Sequence, residues 1–135
     1  MRTILIVDDS PTIRRMVRAS LGVLPDMSFS EAASGLQAIE TLAVTAVDLV
    51  ILDLNMPDMH GLDVLRFVRS HDHYKDVPVM VLTTRGDKTS REAALQAGAS
   101  AYMTKPFSPS ALVSSVNELL TLARSAGTSM PSYEA

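Results

Sequence analysis

The chain has 135 residues, 47% of them hydrophobic and 20% charged, with a formal net charge of −3. That length gives room for one domain with its own core, and the acidic balance argues against a broad nucleic-acid footprint. The absence of cysteine excludes disulfides and thiolate metal sites, and no apolar run approaches the length of a membrane span.

Residues 4–7, Ile-Leu-Ile-Val, form an apolar run of strand length that ends in Asp8-Asp9, too short for a signal peptide. Ser10-Pro11 reads as a helix cap followed by proline at the first helical position. Ile13, Met16, Val17, Leu21 and Leu24 then keep helical spacing. Arg14, Arg15 and Arg18 fall mostly on the other face, as a solvated basic stripe or a docking surface. Pro25-Asp26 breaks this helix, and residues 27–33 form a weaker strand. A helix over about 35–44 is expected to bury Leu36, Ile39 and Leu42. Residues 49–52 make a third strand that delivers Asp53 to a loop marked by Pro57 and Gly61.

Leu62, Leu65 and Val68 mark the third helix. His71-Asp72-His73 is too tightly spaced for a helical metal pair and reads, with His60, as solvated surface. Residues 79–82 form the fourth strand, ending at Thr83-Thr84, and a helix over about 88–97 is stopped by Gly98. A brief fifth strand over 100–103 leads to Thr104-Lys105-Pro106. Leu112, Val116, Leu119, Leu120 and Ala123 give the last helix one apolar stripe. The Ser/Gly/Pro-rich stretch from Arg124 reads as a loose tail, so the domain is expected over 1–123 and the tail over 124–135.

Five strand-then-helix units predict an α/β fold, a parallel sheet with helices on both faces. Sites in such sheets form outside the carboxyl ends of the strands. Those ends carry Asp8, Asp9, Asp53, Thr83 and Lys105. Two unit charges 4 Å apart repel by about 4 kcal/mol at an effective dielectric of ~20, so three acids meeting there call for a hard cation. Magnesium suits a few carboxylates plus waters and shares its shell with phosphate oxygens. Asp53 is the natural nucleophile for phosphoryl transfer, with Lys105 and Thr83 placed to meet the phosphoryl oxygens.

Five motifs stand in order: Val7-Asp8-Asp9-Ser10, Asp53-x-x-Met56-Pro57-x-x-x-Gly61, Val81-Leu82-Thr83, Gln96-Ala97-Gly98-Ala99 and Tyr102-x-x-Lys105-Pro106-Phe107. Together they resemble the receiver domain of two-component response regulators over about residues 2–123, most closely the single-domain chemotaxis type. The resemblance implies a doubly wound, flavodoxin-like sheet of order 2-1-3-4-5 with five helices. It implies that a sensor histidine kinase phosphorylates Asp53. It implies Mg2+ on Asp9, Asp53 and the backbone carbonyl of Asn55, with Asp8 acting through water. Thr83 and Lys105 would grip the phosphoryl group, and Lys105-Pro106 would be a cis peptide. Thr83 and Tyr102 would form the switch that reshapes the face of the fourth helix, fifth strand and fifth helix for a downstream protein.

Such a receiver turns over no outside substrate and catalyses only its own phosphorylation and dephosphorylation. The resemblance also implies a cytoplasmic protein, a monomer or phosphorylation-dependent dimer, open to a phosphatase, with no direct contact to nucleic acid or membrane. Thr84 departs from the small residue more usual in the family at that position. Asn55 and Arg85 match the two positions that tune phosphoryl lifetime, and Arg85 is expected to slow self-dephosphorylation relative to Glu. Two alternatives stay open. One is a magnesium-dependent phosphatase with an aspartyl nucleophile on the first strand, although adjacent Asp8-Asp9 departs from its Asp-x-Asp. The other is a receiver cut from a longer transcriptional or enzymatic regulator.

Overall fold

The computed structural model describes residues 1–129. Strands β1 (Arg2–Val7), β2 (Met27–Ala32), β3 (Leu49–Leu52), β4 (Val79–Thr83) and β5 (Ala101–Thr104) alternate with helices α1 (Pro11–Leu21), α2 (Gly35–Val44), α3 (Gly61–Ser70), α4 (Lys88–Gln96) and α5 (Pro109–Ser129). All pairings are parallel and the order is β2-β1-β3-β4-β5, as expected. The chain reverses direction of winding beside β1, so the ends of β1 and β3 form the crevice where such sheets place their sites.

Side-chain alternation along each strand sends successive residues to opposite layers. Ile4, Ile6, Leu49, Ile51, Met80 and Leu82 pack against Val17 and Leu21 of α1 and Leu112, Val116 and Leu120 of α5. Leu5, Val7, Val50, Leu52 and Val79 face Ala38 and Leu42 of α2 and Val64, Leu65 and Val68 of α3. Both faces are therefore covered, which is why these strands read as continuous apolar runs. Each fully buried Leu or Ile contributes about 1.5–3 kcal/mol relative to exposure. A smaller patch of Leu54, Val81 and Ala94, with Tyr102 against it, seats α4.

The caps follow the residues. Ser10 Oγ accepts from the Ile13 N–H at 3.2 Å, with Pro11 opening α1. Ser34 and Asp87 cap α2 and α4 in the same way. Gly98 sits at φ +107°, in the left-handed region that stops α4. The Lys105–Pro106 peptide is cis.

Several expectations are corrected. Leu36 is 56% exposed, because Ala38, two residues on, takes the inward position on α2 together with Leu42. Met16 is 47% exposed, since Val17 and Leu21 fill the buried stripe of α1. That helix ends at Leu21, so Leu24 joins the core from the following turn. Ala123 is exposed, the apolar stripe having ended at Leu120. α5 runs to Ser129, and residues 130–135 of the expected tail lie outside the described residues. Among the described residues no helix is long and apolar enough to cross a membrane.

Candidate functional site

β1 and β3 lie side by side with Val7 opposite Leu52, so the residues that follow them, Asp8 and Asp53, emerge together. The Asp53 N–H donates to Val7 O at 3.0 Å and the Asp8 N–H to Ala32 O at 3.0 Å, which fixes both main chains before any side-chain chemistry begins. β4 pairs with β5 so that Thr83 stands opposite Thr104. The next residue, Lys105, donates its N–H to Thr83 O at 2.8 Å and leans across the same rim.

The five expected rim residues gather at this end of the sheet. Carboxylate oxygens of Asp8, Asp9 and Asp53 lie within 4.8 Å of one another. Lys105 Nζ donates to Asp8 Oδ2 at 2.6 Å and stands 3.5 Å from Asp53 Oδ2. The other Asp8 oxygen, Oδ1, accepts from the Ser10 N–H at 2.9 Å. Asp53 is 5% exposed, and its Oδ1 is buried without a hydrogen-bond partner. Burial pushes its carboxyl above the usual range against the pull of Lys105, and neighbouring Asp8 adds to the rise.

An orphaned buried oxygen is costly, about 1–3 kcal/mol for a neutral group and more for a charged one. Three carboxylates, one of them with a buried unpartnered oxygen, supply the hard oxygen donors that suit a divalent cation. The acid cluster can therefore bind a metal ion.

The fifth residue, Thr83, is wholly buried at the end of β4. Its Oγ1 accepts from the Arg85 N–H at 3.3 Å. The Arg85 carbonyl in turn accepts from the Tyr102 hydroxyl. One peptide segment thus links the two expected switch residues. Tyr102 is half-buried against Leu54, Val81 and Ala94, and burial raises its phenol above the usual range. The Arg85 side chain turns toward α4, where Nε donates to Ser90 Oγ at 3.1 Å and lies 3.9 Å from Asp87. Asn55 is exposed in the loop after Asp53.

That loop is held by Gly61, which the sequence motif includes, and by Asp58, which it does not. Gly61 passes so close beneath it that an added Cβ would sit 2.4 Å from Asp53 O and 2.6 Å from Leu54 Cα. Asp58 accepts from the Gly35 and Leu36 N–H groups at 3.1 and 3.0 Å, lying across the start of α2. Those bonds lower the Asp58 carboxyl below the usual range, the Leu36 one most. An acid in a Pro-Asp-Met loop looks like any turn residue, so only the fold reveals its partner.

Arg14 is also misplaced by helical spacing alone. Its side chain is only 16% exposed, and its guanidinium bonds the Asp8 carbonyl and Glu31. His60 caps α3 through Nδ1, and His71 stacks on Tyr74 with ring centroids 4.1 Å apart, so neither joins the rim.

Comparison with known proteins agrees with this architecture. Residues 4–117 match the family described as "Response regulator receiver domain". The chemotaxis protein CheY1 of Helicobacter pylori is 41% identical over 110 residues, 81% of this chain and 89% of that protein. The structure of the chemotaxis response regulator CheY4 of Vibrio cholerae superposes with a TM-score of 0.81 at 32% identity, covering 88% of this chain and 98% of that one. The Mn(2+)-bound form of response regulator Rcp1 superposes with a TM-score of 0.73 at 26% identity, covering 93% and 91%. With the family match extending from β1 into α5, the chain belongs to the response regulator receiver domains.

Proposed function

We propose that this receiver is a phosphoryl-accepting switch with Asp53 as the acceptor. The observation that carries this reading is Asp53 Oδ1, buried, unpartnered and set among Asp8, Asp9 and Lys105. A sensor histidine kinase supplies the phosphoryl group. An Asp53 oxygen attacks phosphorus, the P–N bond to the donor imidazole breaks, and the departing nitrogen takes up a proton. Asp9, Asp53 and the Asn55 carbonyl would hold Mg2+, with Asp8 acting through water; the acid cluster and the Mn(2+)-bound relative support a divalent ion here. Bound there, the ion neutralises charge on the phosphoryl oxygens.

Lys105 is the chain's own contribution to the same task. Its ammonium, already between Asp8 and Asp53, exchanges carboxylate contact for a phosphoryl oxygen. The Thr83 hydroxyl proton is free to be donated, since its oxygen is the atom that accepts from Arg85. Drawing Thr83 inward disturbs the Arg85 peptide and, through its carbonyl, Tyr102. The face of α4, β5 and α5 then changes for a downstream partner. A swing from 1:99 to 99:1 needs about 5.5 kcal/mol of differential stabilisation. Chemotaxis is the setting that the CheY relatives support, and a cytoplasmic location goes with that reading.

The hydrolase alternative, with the nucleophile on β1, is disfavoured by Asp8 itself. Both its oxygens are engaged, one by Ser10 and one by Lys105, whereas Asp53 keeps one free. Intact mass after incubation with a small phosphodonor and Mg2+ tests the assignment. Asp53→Asn should gain no phosphoryl group, and Asp8→Asn should still be labelled, more slowly. Labelling of Asp53→Asn as readily as the parent ends the proposal.

A further inference from the structure

The three arginines on α1 are not equivalent. Arg18 is 53% exposed, as a solvated charge should be, but Arg14 is only 16% exposed. Arg14 Nη1 donates to the main-chain carbonyl of Asp8 at 2.6 Å, and Nε donates to Glu31 Oε1 at 2.9 Å. The other Glu31 oxygen accepts from Arg18 at 3.0 Å. Glu31 belongs to β2, and its neighbour Ala32 accepts the Asp8 N–H at 3.0 Å. The main chain of Asp8 is thus gripped on its N–H side by β2 and on its carbonyl side by a guanidinium anchored to β2.

The Asp8 carbonyl belongs to the peptide that joins Asp8 to Asp9. Its tilt sets where the exposed Asp9 carboxylate points relative to Asp53. A small divalent cation tolerates little error in ligand direction. We propose that Arg14, held by Glu31, is a positioning residue that fixes the Asp8–Asp9 peptide and so sets the affinity of the acid cluster for a divalent cation. This rests on the reading that Asp8, Asp9 and Asp53 hold Mg2+.

Charge alone predicts the opposite sign. Arg14 is a cation near a cation site, so removing it by simple electrostatics should tighten binding. Positioning predicts weaker binding, by about 10-fold, the lower end of what loss of a supporting partner costs a metal site. Lysine keeps the charge but cannot bond the carbonyl and Glu31 together in one planar fork, so Arg14→Lys should also weaken binding.

Isothermal titration of the purified full chain with Mg2+ reads the affinity directly, without any phosphodonor. Arg14→Gln and Glu31→Gln should each bind about 10-fold more weakly than the parent. The double variant should be no weaker than either single one, because the two residues act in one chain of contacts. Arg18→Gln should stay within about twofold, as exposed pairs contribute little. Thermal melting without metal separates affinity from general loss of fold. If Arg14→Gln does not fold, Glu31→Gln and Arg14→Lys carry the same test. Parental or tighter Mg2+ affinity in these variants, with binding lost in Asp9→Asn, overturns the proposal and leaves the acid cluster as the metal site. Parental affinity in Asp9→Asn itself removes the cluster reading and the proposal with it.

Discussion

The two ends of the sheet handle buried charge in opposite ways. At the carboxyl rim, Lys105 faces Asp8 and Asp53, and one Asp53 oxygen has no partner. At the other rim, Arg69 of α3 is also sunk into the structure, but every reach is answered. Its guanidinium donates to Gly98 O at 2.9 Å, Val77 O at 2.6 Å, Lys75 O at 3.0 Å and Ser100 Oγ at 3.3 Å. These tie α3 to the loops entering β4 and β5. A satisfied charge reads as architecture, and an unsatisfied one as a place kept for something else.

The largest effect should come from breaking the satisfied end. Arg69→Met leaves several carbonyls without their charged donor and should cost about 3 kcal/mol, roughly 10 °C in melting temperature. Phosphodonor labelling per folded molecule should not change. A matching loss of labelling would erase the distinction between the two rims.

Lys105→Met attacks the unsatisfied end. Asp8 and Asp53 would face each other without their shared cation, costing about 2 kcal/mol in the absence of divalent metal. Saturating Mg2+ should recover part of that loss in a thermal melt, because an ion can take over the neutralisation. Labelling should nonetheless fall sharply if, as proposed, the ammonium also meets the phosphoryl oxygens. No recovery with Mg2+ would mean that the acids do not share a cation.

Asp53→Asn should move stability the other way, by about 1 kcal/mol upward in metal-free buffer, for it removes a buried charge held against burial and Asp8. The pH dependence fixes the sign. The folded chain holds the Asp53 proton more tightly than the unfolded chain, so stability from this group is highest below the unfolded pKa. It declines as pH rises from there through the raised folded pKa, and stays low above it. The stability gap between Asp53→Asn and the parent should therefore widen over that window and then level off. Paired melts across mildly acid pH check this, and a gap that narrows with rising pH would contradict the raised pKa.

The sheet was legible because strands buried on both faces need apolar residues without interruption, as in residues 4–7, 49–52 and 79–82. The rim was legible because charged and hydroxyl residues closed those same runs. The helices were less so. Leu36 obeys helical spacing yet faces solvent, since periodicity gives a stripe but not which stripe meets the sheet. Arg14 and Asp58 were hidden for a related reason. Their partners, Asp8 with Glu31 and the first turn of α2, are distant in sequence or lie across a loop, and nothing local announces a long-range bond.

Residue 85 brings the smallest effect and the finest distinction at the functional rim. Its backbone joins Thr83 to Tyr102, while its side chain is drawn to Ser90 and Asp87 at the start of α4. The guanidinium therefore contributes no base to the neighbourhood of Asp53. A glutamate at this position would lose the bond to Ser90 and be repelled by Asp87. Released from α4, its carboxylate could accept a proton from a water ordered by Asn55 across the acyl phosphate. General-base help of that kind is worth 10²-fold or more when fully aligned, so a flexible loop carboxylate should give only about threefold. Inorganic phosphate release from labelled Arg85→Glu should be faster than from the parent by that factor. Equal or slower release would show that the lifetime is set by Lys105 and Thr83, within the buried rim, and not by the loop that connects it to α4.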